Sequence, residues 1–176
     1  METENSVLVV VDMQNDFVYG ALGSEDARAI VPAVVDRVKN FKGSVVFTMD
    51  THSSDYLQTE EGRMLPVVHC VKGEDGHRII PELNEYTKGQ KVIEKPTFGS
   101  VELGEYLLKL NASKPIDKIY FVGLCTDICV VSNVLLVRAF LKDVPLYVEK
   151  DLTAGTSDEN YNASLAVMRS CLVNIE

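Results

Sequence analysis

The amino-acid sequence predicts an α/β protein, a three-layer α/β/α sandwich with a mainly parallel sheet. Apolar runs of strand length alternate along the chain with segments of helical period, which is the order βαβ units require. Most of those runs are apolar on both faces, as in a parallel sheet covered by helices, whereas a sheet with one wet side would alternate strictly. The length of 176 residues suits one core, so residues 1–176 are read as a single domain.

Taken in order, the first strand is Val7 to Asp12, five apolar residues closed by a carboxylate. Glu25 to Phe41 follows with apolar residues recurring at three and four, the helical spacing. Ser44 to Asp50 is the second strand. The stretch from Thr51 to Gly89 is irregular and holds His52, His69, His77, Pro66 and Pro81; a loop that long in a compact domain is expected to be functional. Lys91 to Lys95 is the third strand and Val101 to Leu110 the next helix. Lys118 to Gly123, Asp127 to Leu141, Pro145 to Lys150, Asp158 to Ser170 and Leu172 to Ile175 continue the alternation to the end. No internal repeat, low-complexity tract or linker interrupts it. Such sheets use right-handed crossovers and place ligands at the carboxyl ends of their strands, which directs attention to those ends.

Composition removes several classes of function. Seventeen Lys and Arg stand against 26 Asp and Glu, a net charge of −9, and no basic run offers the face that phosphate neutralisation needs, so no nucleic acid is expected as partner. No stretch approaches the roughly 20 apolar residues of a membrane span. The start, Met-Glu-Thr-Glu-Asn, is acidic where a secretory signal would be basic and then apolar, so the cytoplasm is expected. Cys70, Cys125, Cys129 and Cys171 are then expected as reduced thiols.

Three strand ends carry reactive side chains. Asp12 closes the first strand in V-D-M-Q-N-D-F. Lys95 closes the third in E-K-P-T-F-G-S, where Pro96 keeps it extended. The fourth strand runs into G-L-C-T-D-I-C-V, placing Cys129 in the first turn of the next helix, where free N–H groups and the macrodipole favour a thiolate. Each residue alone also has a plain structural reading: Asp12 as a turn cap, Lys95 as a solvated lysine, Cys129 as a small core residue.

Together, in this order and context, the three motifs resemble the signatures of the isochorismatase-like cysteine hydrolases, the superfamily that includes nicotinamidase. The resemblance spans essentially the whole chain. It implies a catalytic triad of Asp12, Lys95 and Cys129, with an oxyanion hole from the backbone N–H groups of Cys125 and Cys129. It also implies a cis peptide bond between Leu124 and Cys125. The residue types suit the chemistry: attack of a thiol on an amide needs a base for its proton and a positive charge to hold the thiolate.

A second constellation is Asp50-Thr51-His52 with His69. Residues two apart at a strand end face one side, so Asp50 and His52 can share an ion, with His69 arriving from the loop. A hydrogen-bonded strand-end pair is the alternative. Asp-x-His followed by Pro66-Val67-Val68-His69-Cys70 resembles the nicotinamidase metal site, which implies a divalent metal on Asp50, His52 and His69. Zinc fits such ligands, and iron or manganese could occupy them too. Glu60 or Glu61 could add a ligand, whereas His77 is expected to be a loop residue.

Phe17 matches the aromatic that nicotinamidases hold against the substrate ring. The chain departs from that pattern in having no Trp, which leaves Phe98 as the nearest aromatic to the lysine motif; Tyr19 and Tyr56 are further wall candidates. The resemblance thus implies a small-molecule amide substrate, nicotinamide first. Another small amide, isochorismate, or a catalytically silent binding member are the alternatives. The family resemblance and the apolar run Val130 to Phe140 lead to an expected homo-oligomer, a dimer or higher.

Overall fold

The structure, a computed structural model, describes residues 3–176; Met1 and Glu2 of the acidic start lie outside the described residues. Its centre is a six-stranded, wholly parallel sheet in the order β3-β2-β1-β4-β5-β6. The strands are β1 (Val7–Val11), β2 (Ser44–Asp50), β3 (Lys91–Lys95), β4 (Ile119–Leu124), β5 (Leu146–Ala154) and β6 (Asn174–Ile175). The helices are α1 (Asn15–Val18), α2 (Glu25–Asn40), α3 (Glu60–Met64), α4 (Pro81–Asn84), α5 (Val101–Ser113), α6 (Val131–Phe140) and α7 (Asp158–Ser170), with a π-helical turn over Thr126–Val130.

The period of two along a strand explains why β1 is apolar throughout. Val7, Val9 and Val11 pack into one core with α5, α6 and α7, while Leu8 and Val10 pack into the other beneath α2. A strand that feeds two cores has no polar face to show. Where β1 and β4 run side by side, Gly123 (φ +110°) admits the neighbour: a Cβ there would sit 2.1 Å from the Val11 carbonyl oxygen. The longer helices begin on side-chain caps. Ser24, Ser100 and Ser157 accept the N–H groups of Ala27, Leu103 and Asn160, satisfying donors a helix start leaves open.

Three departures from the expected elements have local causes. β5 continues to Ala154 because its register with β4 shifts between Phe121 and Gly123, which pair with Val148 and Thr153; the intervening residues bulge out and the strand resumes. The helix after β4 opens as a π turn, with the Val130 N–H donating to the Cys125 carbonyl. The segment 51–89 is not bare loop but carries α3, α4 and two single turns of tighter helix; elements that short show no apolar period.

Candidate active site and metal centre

β1 delivers Asp12 to the carboxyl edge of the sheet, and the chain turns there at once, with Asp12 at φ +49°, a conformation Asp tolerates better than most residues. β3 brings Lys95 to the same rim and the π turn brings Cys129 over it. All three side chains are buried: Asp12 is 0% exposed, Lys95 1% and Cys129 4%. Lys95 Nζ lies 2.7 Å from Asp12 Oδ2 and 3.5 Å from Cys129 Sγ. Thr48 Oγ1 donates to Asp12 Oδ1 at 2.7 Å.

Electrostatics here turn on one cation shared by two carboxylates, since Lys95 Nζ is also 3.6 Å from Asp50 Oδ1. Burial opposes the Lys95 charge, but Asp12, Cys129 and Asp50 outweigh it and hold the ammonium firmly protonated. Burial pushes the Asp12 carboxyl up, against the pull of Lys95, and Asp50 adds to the push. Burial first, then Asp12, raise the Cys129 thiol well above its usual value despite Lys95. The thiolate expected from the position in the sequence is therefore corrected: the resting group is a thiol, because desolvation and the neighbouring carboxylate dominate. Asp12 is the carboxylate beside that thiol, and Lys95 bridges the two.

The second constellation adjoins the first through Asp50. Asp50 Oδ2 is 2.9 Å from His52 Nε2 and 3.4 Å from His69 Nε2, while its other oxygen faces Lys95. Although burial disfavours its charge, hydrogen bonds from both imidazoles and the Lys95 charge keep the Asp50 carboxyl well below the usual range. His69 Nδ1 donates to the Val67 carbonyl at 2.7 Å, which turns Nε2 inward.

Of the two loop glutamates, Glu61 reaches the group and Glu60 does not; Glu60 pairs at the surface with Arg63. One ligand atom from each of Asp50, His52, Glu61 and His69 lies within 4.8 Å of the others. Glu61 Oε1 is buried without a hydrogen-bond partner, 3.6 and 3.8 Å from the two imidazole nitrogens. Two imidazoles and two carboxylates around an orphaned acceptor fit a divalent cation. His77 stands apart, its Nε2 2.8 Å from Thr51 Oγ1.

Both groups open on one cavity of about 330 Å³, whose walls include Phe17, Phe98, Cys125, Cys129, Asp50 and His69. Phe17 meets His69 edge to face at 5.6 Å between centroids. The two tyrosines expected as walls are elsewhere. Tyr19 is half exposed and donates to Glu82. Tyr56 packs behind the imidazoles, 4.7 Å from His52 and 5.0 Å from His69. The Leu124–Cys125 bond is cis, and Cys125 lines the cavity beside the π turn.

Sequence reasoning missed three polar side chains that hold this arrangement, Gln14 and Asn133 buried and Asp16 half-buried. Gln14 Nε2 donates to the carbonyls of Asp50 and His77, and its Oε1 accepts the Asp50 N–H. Asp16 Oδ2 accepts the N–H of Cys70, next to His69. Asn133 Oδ1 accepts the Ser100 N–H, and its Nδ2 donates to the carbonyls of Phe98 and Cys129. Gln14 and Asp16 sit inside the Asp12 motif, the one signal that could have pointed to them.

The description "Isochorismatase domain" fits residues 6–175 of this chain. A nicotinamidase/pyrazinamidase of Mycobacterium tuberculosis is 29% identical over 188 residues, covering 96% of each chain. Among solved structures, the pyrazinamidase of Pyrococcus horikoshii in complex with zinc superposes with a TM-score of 0.82 at 27% identity, covering 98% of each chain. The N-carbamoylsarcosine amidase of Thermoplasma acidophilum gives a TM-score of 0.79 at 27% identity, covering 97% of this chain and 95% of that one.

Proposed function

We propose that this chain, which belongs to the isochorismatase family, is a single-domain cysteine amidohydrolase that converts nicotinamide to nicotinate and ammonia. The observation that carries the proposal is the buried contact of Cys129, Lys95 and Asp12 with Asp50 shared between it and the His52–His69–Glu61 group. The metal-type ligand set beside the triad favours a substrate with a ligating ring nitrogen, and relatives bearing the nicotinamidase name support that choice.

The geometry supports the following roles. Asp12 takes the thiol proton as Cys129 Sγ bonds to the carboxamide carbon, and a carboxyl pushed up by burial is better matched to that transfer than an ordinary one. Lys95 holds the charge that passes through the sulfur. The backbone N–H groups of Cys125 and Cys129 receive the oxyanion. Asp12 returns its proton to the leaving ammonia, leaving a thioester. It then deprotonates a water that attacks the thioester carbon, and Cys129 leaves to recover its proton. A divalent metal, zinc, iron or manganese, held by Asp50, His52, His69 and Glu61 would supply a Lewis-acid site for the pyridine nitrogen. Phe17 and Phe98 would flank the ring.

Ammonia release across a panel of small amides, with Cys129→Ala as control, tests this reading. Nicotinamide turnover lost in that variant is the expected result; turnover retained by the variant, or no turnover of nicotinamide, counts against it. A cytoplasmic setting and self-association into a dimer or higher belong to the same proposal. The partial exposure of Val131, Leu135 and Leu136 on α6 supports the second, and sedimentation tests it.

A further inference from the structure

The cavity is larger than the substrate proposed for it, and the surplus lies on one side. A pyridine carboxamide displaces about five waters' worth of volume, roughly 150 Å³ at ~30 Å³ per water, against a cavity of about 330 Å³. The polar anchors run from the ion-binding group at the end of β2 to Cys125 and Cys129 in the turn after β4. Asp50, at the end of β2, faces the ion-binding group, and Cys129 touches Lys95 of β3. The same cavity also reaches Leu124 at the end of β4 and Ala154 at the end of β5. From β4, whose following turn holds the anchors of the carbonyl, to β5 is one further strand step, about 5 Å at ~4.8 Å per step. A single ring fixed at its nitrogen and its carbonyl does not cover that distance.

The uncovered end has a distinct chemistry. Its walls are Leu22, Ala27, Leu124 and Ala154, with the hydroxyls of Ser24 and Thr156 beside them already bonded to the Ala27 N–H and to Asp127; the four apolar residues are associated with the α2-side core, whereas Cys129 belongs to the core on the opposite face of the sheet. None of the four carries a side-chain donor or acceptor. Two are alanines, so the space exists because small side chains sit where larger ones would close it.

We infer that this end is a second subsite, and that the enzyme acts on aromatic carboxamides bearing an apolar substituent on the ring, which fills the space between α2 and the ends of β4 and β5. The inference rests on the amidohydrolase reading above and adds the substrate class. A substituent placed there leaves water for a mainly aliphatic wall, and each buried methylene is worth about a fourfold gain.

The test compares kcat/KM for nicotinamide with that for its 4- and 5-alkyl derivatives from methyl to propyl. Along one of the two series kcat/KM should climb about fourfold per carbon, reaching at least tenfold over nicotinamide at propyl. Ala154→Leu and, independently, Ala27→Leu should cut the propyl-to-nicotinamide ratio at least tenfold. Circular dichroism checks each variant's fold, and the wild-type series decides alone if neither folds. Nicotinamide hydrolysed while every alkyl derivative is poorer overturns the subsite and leaves the amidohydrolase reading standing. A preference for propyl that survives both leucines also overturns the placement. No turnover of any member of the panel overturns both.

Discussion

Lys95→Met removes the cation that touches Asp12, Asp50 and Cys129 alike while nearly preserving volume. Two effects follow, of separate size. The charge 3.5 Å from the sulfur is worth about 5 kcal/mol to a thiolate at an effective dielectric near 20, so kcat/KM for amide hydrolysis should fall about 10³- to 10⁴-fold. For stability, an unpaired buried carboxylate costs roughly 3–5 kcal/mol, a large share of the ~5–15 kcal/mol that holds a domain together. The cost should depend on pH with a definite sign. Asp12 already has its folded value above the usual 3.8, and losing Lys95 raises it further. A carboxyl raised in the folded state opposes folding as pH climbs past its unfolded value, so the deficit of the variant should be smallest in acid and grow toward neutrality. Urea unfolding of wild type and variant from pH 5 to 8, together with an ammonia assay, measures both effects. A variant keeping a tenth of the activity, or one destabilised equally at every pH, would refute the electrostatic argument.

Three further outcomes are expected. Because burial and Asp12 raise the Cys129 thiol, its alkylation by iodoacetamide should be slow at pH 7 and still rising past pH 9, whereas a plateau below pH 7 would mean a resting thiolate. Glu61→Ala, which removes the buried orphan acceptor, should weaken zinc binding about 10- to 100-fold in chelator competition, by the scale of comparable losses around bound metals, while Glu60→Ala should leave it unchanged. Asn133→Leu breaks three hydrogen bonds that tie the Cys129 turn to the loop of Phe98 and Ser100. It should cost about 2–4 kcal/mol, lowering Tm by roughly 5–15 °C in calorimetry.

How far the sequence could be read depended on whether a feature repeats. Strands buried on both faces announce themselves as apolar runs, and β2 and β3 have the ends expected for them. α7 spans Asp158–Ser170 as its period predicts. β5 was cut short because the residues of its bulge, such as Asp151, are exposed and break the run before Thr153 and Ala154 return to the sheet. The order of the strands is a matter of which edges meet, and no single segment encodes it. At the site, Asp12, Lys95, Cys129, Asp50, His52 and His69 stand out because reactive residues at strand ends are few. Gln14 and Asn133 do not, because a buried amide looks like any surface amide until its partners are in place. The state of Cys129 was misjudged for a related reason: a helix start argues for a thiolate, and only packing reveals that desolvation is the larger effect.

Acid-quenched turnover of nicotinamide, followed by intact-mass and peptide analysis, tests whether Cys129 Sγ bonds to the substrate carbonyl. A nicotinoyl adduct on the Cys129 peptide is expected, present during turnover, gone when substrate is exhausted, and longer-lived in Asp12→Asn if any forms there. Full turnover with no acyl adduct on Cys129 at any quench time, or an adduct on Cys125 or Cys70 instead, would contradict it.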